Sequence, residues 1–416
     1  MQRNPENIDS EWKSIALLLG VMLAVFAGLY LILPPSVILP LAAFVIGFVV
    51  VVLFIRAGRS GWQTACLALV LMTALLSALI FLLTRPVSTG TVASDPAASQ
   101  IDKLLQDKSF SGAVLIAQND QVLVRKAYGY ADRSRMIANT PDTRFRLGSV
   151  SKQFTAMAIL MLQARGKLNV QDRICKHLAD CPTVWEDITI HHLLTHSSGM
   201  RDYLAQCFSS ADQVQQTILQ ARSQPLAFEP GARAAYSNVG YRVLAEIVER
   251  VSGERYGPFL QKNIFGPLHM TRTAFETSET PGLAVGYTDK FLPACPMDMS
   301  FEYGEGGINS TVEDLYHWEQ ALNTEKLISL PLLESIFTAH MPADDQMGIT
   351  GGIGYGWGVG QQLGHSVSLH GGFIQGFTSV IARFPDDHLT LIMLSNQQNY
   401  DESIYRLLAG KLLTQE

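Results

Sequence analysis

Charged residues are scarce in this chain, and several short patterns that mark common enzyme sites are missing. Only 16% of the 416 residues are charged, whereas 48% are hydrophobic. The sequence contains no Gly-x-Ser-x-Gly, no His-Glu-x-x-His and no Cys-x-x-Cys. These absences disfavour an α/β-hydrolase, a metalloprotease and a cysteine-rich metal site. The net charge of -6 and the lack of a long basic stretch argue against a nucleic-acid partner.

The apolar residues are concentrated at the N-terminus, in three runs without any charged residue. These runs are Ile15 to Leu33, Val37 to Ile55 and Thr64 to Leu83. Each has about the 20 residues that a helix needs to cross a bilayer. The sequence therefore predicts a membrane anchor over residues 1–86 with three transmembrane helices. A cleaved signal peptide followed by buried helices is the alternative, but the first run is longer than the apolar part of a signal peptide.

The basic residues around these runs indicate which way the anchor is oriented. Arg3 and Lys13 precede the first run, and Arg56 and Arg59 lie between the second and third, whereas the Pro34-Pro-Ser36 turn is uncharged. Cytoplasmic loops carry an excess of Lys and Arg. We therefore expect a multi-pass protein of the bacterial inner membrane, with a cytoplasmic N-terminus and a periplasmic main domain.

Residues 87–99 are small, polar and proline-bearing, and we interpret them as a linker to a domain over residues 100–416. Four cysteines, Cys175, Cys181, Cys207 and Cys295, belong to this outer part, where disulfides persist. Four cysteines allow three pairings, of which we favour Cys175 with Cys181 and Cys207 with Cys295.

Strand patterns occupy both ends of the outer part, and helical patterns lie between them. A β-hairpin is predicted over Gly112–Gln118 and Gln121–Ala127, and strands over 355–363, 366–370, 378–384 and 389–395. Helices are predicted over 149–165, 191–195, 210–221, 239–252, 256–264, 311–322, 330–340 and 404–413. This order indicates an α+β fold in which the two ends build one sheet and the middle forms a helical subdomain.

Ser149 and Lys152 stand three residues apart at the start of a predicted helix, in Arg146-Leu-Gly-Ser-Val-Ser-Lys152. Residues at this spacing lie on one helix face about a turn apart, so the hydroxyl and the amine can meet. The amine can take the hydroxyl proton, and the helix dipole favours the alkoxide. A Ser-x-x-Lys by itself is a weak signal, since Ser10 to Lys13 is a second copy in the polar N-terminal tail.

Two later motifs add side chains that suit acyl transfer. Tyr236-Ser-Asn238 supplies a phenol that could relay protons and an amide that could bind a substrate amide. His370-Gly371-Gly372 supplies a donor or a cation, and its glycines would let a substrate backbone approach. Each motif also has a structural interpretation, as a buried tyrosine with a helix cap and as a strand-end turn. His192 and His196 are four residues apart, but no third ligand is evident, so we predict no metal site and a packing or capping role.

In this order, Ser149-Val-Ser-Lys152, Tyr236-Ser-Asn238 and His370-Gly-Gly372 resemble the signature motifs of the class C β-lactamase and D-alanyl-D-alanine carboxypeptidase family. Flanking phrases resemble it too, namely Asp187 to Gly199, Gly306 to Thr311 and Tyr355 to Gly358. The resemblance covers about Ile101 to Leu413. It implies the β-lactamase/transpeptidase-like fold, with an antiparallel sheet flanked by helices.

The resemblance also implies roles for the residues of these motifs. Ser149 would attack a carbonyl carbon, and Lys152 with Tyr236 would manage its proton. The backbone N–H groups of Ser149 and Phe373 would form the oxyanion hole. Asn238, His370, Gly371 and Gly372 would bind substrate. The resemblance implies no cofactor.

One departure bears on the substrate, because true β-lactamases of this family usually carry Lys-Thr-Gly where this chain has His370-Gly371-Gly372. A lysine is a permanent cation for a substrate carboxylate, whereas histidine is not. We therefore expect a carboxypeptidase-like or esterase-like hydrolase that acts on a D-amino-acid peptide, a peptidoglycan-derived amide or a small ester. The alternatives are a true β-lactamase, a non-catalytic peptidoglycan- or partner-binding domain, and a receptor domain on transporting spans.

Overall fold

The computed structural model describes residues 88–202, 220–276, 280–288, 290–297, 299, 302–342, 349–401 and 403–413. The chain divides into two units, Met1–Pro86 and Val87–Glu416, and all the described residues belong to the second. The three predicted spans lie outside the described residues, as does most of the helix predicted over residues 210–221. In the part of the chain that is described, no helix has the length and apolar character needed to cross a bilayer.

The strands follow one another along the chain as β1 (Ser88–Val92), β2 (Gly112–Gln118), β3 (Gln121–Tyr128), β4 (Tyr130–Asp132), β5 (Ile137–Ala138), β6 (Phe145–Arg146), β7 (Ala274–Phe275), β8 (Ile308–Ser310), β9 (Met341–Pro342), β10 (Thr350–Ile353), β11 (Gly358–Gln362), β12 (His365–Ile374), β13 (Phe377–Phe384) and β14 (Leu389–Ser395). The helices are α1 (Pro96–Asp107), α2 (Lys152–Ala164), α3 (Ile190–Leu194), α4 (Asn238–Ser252), α5 (Tyr256–Leu260), α6 (Val312–Ala321), α7 (Leu330–Ile336) and α8 (Ile404–Leu413).

One antiparallel sheet of nine strands is built from both ends of the described chain. Its order is β1-β3-β2-β14-β13-β12-β11-β10-β9, and the junction between the two ends is the pairing of β14 with β2. This confirms the prediction of an α+β fold with a mostly antiparallel sheet. The hairpin of β2 and β3 turns at Asn119 and Asp120, whose φ angles of 51° and 62° suit a tight two-residue turn.

The central strands are buried on both faces because helices cover each side of the sheet. Successive side chains of a strand point to opposite faces. In β2, Leu115 belongs to the core under the helical subdomain, whereas Val114 and Ile116 belong to the core under α1 and α8. Strands β2 and β14 accordingly have mainly apolar sequences, GAVLIAQ and LTLIMLS, without a regular polar alternation.

Helix α2 lies in the middle of the larger core. Every residue from Lys152 to Leu162 is buried, which is the expected environment for a helix with apolar side chains all round. The helices α3, α4 and α5 contribute side chains to the same core. Helix α4 begins after Ser237, whose side chain accepts from Gly240 N, and ends at Gly253 in the left-handed conformation.

The structure corrects several sequence-based boundaries. The strand predicted over 355–363 begins only at Gly358. Much of the segment interpreted as a linker is ordered, because Ser88–Val92 pairs with β3 along its whole length and Asp95 caps α1. The strand predicted to stop at His370 continues to Ile374, since its two glycines pair with β13 and the turn comes at Gly376. The helix predicted through residue 340 ends at Ile336, and Met341 already pairs with β10.

Candidate active site

The hydroxyl of Ser149 and the amine of Lys152 meet at the start of α2. Ser149 lies in a 3-10 turn over Gly148–Ser151, and Lys152 is the first residue of the α-helix that follows. Lys152 Nζ lies 3.1 Å from Ser149 Oγ. The lysine is 0% exposed, so its amine contacts specific protein atoms rather than bulk water. The predicted pair is therefore assembled within a single turn of the chain.

Tyr236 approaches the same hydroxyl from the loop before α4. Its hydroxyl lies 2.6 Å from Ser149 Oγ, and Lys152 Nζ lies 4.8 Å from the centre of its ring. The side chain is 44% exposed, so one face of the phenol remains open to an incoming molecule. Ser149 Oγ thus has two neighbours, an amine and a phenol, that are able to exchange protons with it.

Asn238 contacts Lys152 through its side-chain amide. Lys152 Nζ donates to Asn238 Oδ1 at 2.7 Å and to the backbone oxygen of Glu305 at 3.0 Å. Asn238 Nδ2 donates to the carboxylate of Asp202 at 3.0 Å. Both ends of the amide that the sequence analysis assigned to substrate are therefore bonded to protein groups. Asp202 was not identified from the sequence, because a lone aspartate in a loop carries no motif.

Glycines allow the turn that carries Ser149 to press against strand β12. A Cβ at Gly372 would lie 2.0 Å from the backbone oxygen of Leu147, and a Cβ at Gly148 would lie 2.9 Å from Phe373 N. The sequence analysis assigned Gly372 to substrate binding; in the structure the absence of a side chain at Gly372 also makes room for the turn that carries Ser149. Ser379 Oγ donates to Leu147 O at 2.6 Å and ties β13 to the same turn.

His370 lies beside the site as a neutral ring. Burial, followed by the charge of Lys152, lowers the pKa of His370 to about 4. Its Nδ1 faces the backbone oxygen of Gly371 at 2.5 Å, and a carbonyl only accepts, so Nδ1 carries the proton. Nε2 is then a hydrogen-bond acceptor. The cation considered in the sequence analysis is therefore absent from this side chain at neutral pH.

His196, for which the sequence predicts a packing or capping role, is a part of the site. Its ring stacks on the ring of Tyr236 with centroids 4.4 Å apart, and its Nδ1 accepts from Ser237 N at 3.1 Å. Burial, with the charge of Lys152, holds the pKa of His196 well below its usual value. His196 therefore acts as a neutral support that orients Tyr236, a role that sequence spacing could not reveal.

Acidic side chains lie behind Lys152, away from the nucleophile. The carboxylate of Glu305 accepts a hydrogen bond from the backbone N–H of Gly304 and forms an ion pair with Arg242 at 3.4 Å. Burial and the charge of Glu305 raise the pKa of Glu302 to about 7, while Lys152 and Arg242 act in the opposite direction. The surroundings of the lysine therefore contain both signs of charge.

A cavity of about 750 Å³ opens beside Ser149. Its walls come mainly from strands β9, β10 and β12 and from the loop before Tyr236, and their lining is largely apolar. The lining includes Met341, Ile353, Trp357, Leu369 and Phe373. Gly371 and Gly372 also line it. The cavity is large enough for a small amide, ester or short peptide.

The remaining candidates from the sequence have structural positions. His192 Nδ1 accepts from Thr189 N in a capping box at the start of α3, and no group of three potential ligands for a metal ion occurs among the described residues. Cys175 and Cys181 form a disulfide. Cys295 is also disulfide-bonded, and Cys207 lies outside the described residues.

Comparison with known proteins places this arrangement in a family. A family model described as Beta-lactamase matches residues 97–413. Penicillin-binding protein 4* of Bacillus subtilis (strain 168) is 31% identical over 334 residues, which cover 73% of this chain and 73% of that protein. The teichoic acid D-alanine hydrolase of Staphylococcus aureus is 28% identical over 333 residues, covering 77% of this chain and 79% of its own length.

A solved structure agrees with these matches. The octameric penicillin-binding protein homologue from Pyrococcus abyssi is 28% identical, covers 76% of each chain and superimposes with a TM-score of 0.68. The fold, the Ser149–Lys152–Tyr236 geometry and the extent of the matches point the same way. The chain belongs to the β-lactamase family and is a serine hydrolase.

Proposed function

We propose that Ser149 of this hydrolase forms an acyl-enzyme with amides, peptides or esters that contain a D-amino acid. The observation that carries the proposal is the position of Ser149 Oγ, which is contacted by both Lys152 Nζ and Tyr236 Oη at the edge of the cavity. An amine and a phenol at hydrogen-bond distance supply what a serine needs to become a nucleophile.

The proposed reaction proceeds in two proton-balanced steps. Ser149 Oγ attacks the substrate carbonyl carbon and gives its proton to the Lys152–Tyr236 pair, which returns a proton to the departing amine or alcohol. Water then attacks the acyl carbon and gives a proton to the same pair. The bond between that carbon and Ser149 Oγ breaks, the pair returns the proton to Oγ, and the acid is released. The backbone N–H groups of Ser149 and Phe373 would hold the oxyanion, and the close approach of Gly148 to Phe373 N supports this pairing.

The substrate class follows from the walls of the site and from the relatives. The neutral His370 offers an acceptor, which suits an amide or amine N–H better than the carboxylate of a β-lactam. Among the relatives, one is named a teichoic acid D-alanine hydrolase and another a penicillin-binding protein. These names support a D-alanyl peptide, amide or ester. Efficient β-lactam turnover is the less favoured alternative.

We further propose that residues 1–86 anchor the enzyme in the inner membrane and that its domain faces the periplasm. The three charge-free runs and the position of Arg56 and Arg59 support this topology. The Cys175–Cys181 disulfide supports it as well, since disulfides persist in the periplasm. A reporter enzyme that works only in the periplasm should be active when it is fused after Glu416. A reporter enzyme that works only in the cytoplasm should be inactive at the same position, and its activity would contradict the topology.

A panel of small substrates tests the proposed activity. The full-length chain, purified in detergent, is assayed with N-acetyl-D-alanyl-D-alanine, D-alanine p-nitroanilide and D-alanine methyl ester, and with their L-alanine counterparts. We expect hydrolysis of at least one D compound in preference to its L form, and loss of that activity in Ser149→Ala. Activity that persists in Ser149→Ala, or an absence of turnover for the whole panel, would contradict the proposal.

A further inference from the structure

We propose that Asp202 is a positioning residue that fixes the side-chain amide of Asn238 and thereby directs the proton-accepting position of Lys152 toward Ser149. The inference rests on the proposed acyl-enzyme function, because it concerns how the nucleophile is activated. Asp202 would act through Asn238 and Lys152, without touching the substrate itself.

The carboxylate of Asp202 determines which end of the Asn238 amide faces Lys152. It accepts from Asn238 N at 2.9 Å, from Asn238 Nδ2 at 3.0 Å and from Val239 N at 3.3 Å. An ionised carboxylate only accepts hydrogen bonds, so the nitrogen end of the amide must point to it. The oxygen end is then turned to Lys152 Nζ, which lies 2.7 Å away.

The partners of Lys152 Nζ show why this orientation matters. In the structure Nζ donates to Asn238 Oδ1, to the backbone oxygen of Glu305 and to Ser149 Oγ. In the form that accepts a proton, the amine has only two N–H donors and one lone pair. Asn238 Oδ1 and the backbone oxygen of Glu305 only accept, and they occupy two directions. Ser149 Oγ accepts from Nζ in the structure, but as a hydroxyl it is also able to donate. When the amine is in its proton-accepting form, its two N–H groups therefore stay directed to Asn238 and Glu305, and the lone pair faces the proton of Ser149.

A reversed amide would undo this arrangement. The nitrogen end of Asn238 would then donate to Lys152 and occupy the lone pair that the Ser149 hydroxyl needs. Such a reversal is blocked because it would place the amide oxygen against the Asp202 carboxylate, with two acceptors facing each other. The contacts of Asp202 with two amides at the start of α4 also hold the carboxylate in place.

The same contacts make Asp202 a helix cap, so its test must separate positioning from stability. Asp202→Asn retains the shape and an acceptor for the helix, but its amide can donate to Asn238 Oδ1 and permit the reversed orientation. Asp95→Asn is the matched control, because Asp95 also accepts from two amides at a helix start, Ala97 N and Ala98 N. Asp95 caps α1, which packs on the opposite face of the sheet.

The experiment measures acylation of the full-length chain by p-nitrophenyl acetate, as the burst of p-nitrophenolate, together with the thermal midpoint. We expect Asp202→Asn to slow the acylation step by roughly 10- to 100-fold with substrate affinity changed by less than about twofold. Asp95→Asn should change the midpoint about as little as Asp202→Asn does, because asparagine also caps a helix, and it should leave acylation unchanged. Should Asp202→Asn fail to fold, Asp202→Ser provides a capping hydroxyl that also permits amide reversal, and it should slow acylation in the same way.

A double-mutant cycle decides whether Asp202 acts through Asn238. In an Asn238→Ala background, adding Asp202→Asn should change acylation by less than about twofold, since the two residues act as one unit. Full additivity of the two effects, or normal acylation in Asp202→Asn, would overturn the inference. A wild-type chain without Ser149-dependent turnover would overturn the proposed function itself, and this outcome is seen before any Asp202 variant is compared.

Discussion

Gly372 and Leu147 are packed so closely that a Cβ on the glycine would lie 2.0 Å from the leucine's backbone oxygen. Leu147 is two residues before Ser149, and Gly372 is one residue before Phe373 N, the proposed second oxyanion donor. The contact therefore sets the distance between Ser149 and the strand that carries this proposed donor. If the proposed role of Phe373 N is correct, the packing of these two residues affects catalysis directly.

Replacing Gly372 should consequently damage activity more than stability. We expect Gly372→Ala to push the Ser149 turn away from β12, to cost about 1–3 kcal/mol of unfolding free energy, and to reduce acylation by about 100-fold or more. Gly410→Ala is the control, because its Cβ would meet only Leu363 Cδ1 at 3.9 Å within a helix. Urea unfolding and ester turnover measure the two effects; normal turnover in Gly372→Ala would contradict the packing argument.

The phenol of Tyr236 should contribute to the chemical step without supporting the fold. Tyr236→Phe removes the hydroxyl that lies 2.6 Å from Ser149 Oγ and leaves the ring that stacks on His196. Because general acid–base groups typically contribute about 10²- to 10⁴-fold, we expect a fall of that size in kcat. The thermal midpoint should stay within about 2 °C of the wild type, since a half-exposed hydroxyl adds little to stability. An unchanged kcat would exclude Tyr236 from the proton transfer.

The imidazole of His370 should not titrate in the physiological range. Burial and the charge of Lys152 lower its pKa to about 4, so the ring is neutral from about pH 5 upward. We therefore expect His370→Gln to leave the shape of the pH profile of acylation unchanged between about pH 5 and 8, whatever its effect on the rate. A contradicting result would be a titration step in the wild-type pH profile, near the ordinary pKa of histidine, that disappears in His370→Gln. It would show that the His370 ring becomes charged in the working enzyme.

The buried acid Glu302 should make the fold less stable as the pH rises. Its pKa is raised to about 7 from an ordinary value of 4.5, with burial as the first cause. The folded state thus holds a proton that the unfolded state releases, and the resulting stability is complete below about pH 4.5 and lost by about pH 7. As the pH rises between these limits, the unfolding free energy of Glu302→Gln should increase by about 1–3 kcal/mol relative to that of the wild type. Parallel pH curves of unfolding free energy for the two proteins would contradict this.

The Ser149–Lys152 pair could be found from the sequence because its contact depends on local geometry, whereas Tyr236, which is 87 residues from Ser149, was identified through the family resemblance of the three motifs taken together. Ser149 and Lys152 are within one turn of chain, and the turn at Asn119 and Asp120 follows from residue preference. The sheet with both chain ends could likewise be predicted from the order of strand and helix patterns. In each case the interaction is short in sequence or repeated along an element.

The missed features depend on contacts that no short pattern encodes. Asp202 meets Asn238 across 36 residues, and His196 reaches Tyr236 through a ring stack that any aromatic residue might have formed. The small polar residues of Ser88–Val92 form a strand because β3 offers an open edge, not because of their own propensity. The packing of Gly372 against the turn of Ser149 was not predicted either, since the oxygen that leaves room only for glycine belongs to Leu147 on another element.

The identity of the nucleophile is the centre of this account, and one mass measurement tests it most directly. The full-length chain is incubated with a p-nitrophenyl alkylphosphonate, which forms a stable bond to activated serines, and its intact mass is then recorded and the site mapped. We predict a single adduct on Ser149 in the wild type, none in Ser149→Ala, and much slower labelling in Lys152→Ala. An adduct that persists in Ser149→Ala, or a wild-type chain that never reacts, would show that Ser149 is not the activated nucleophile.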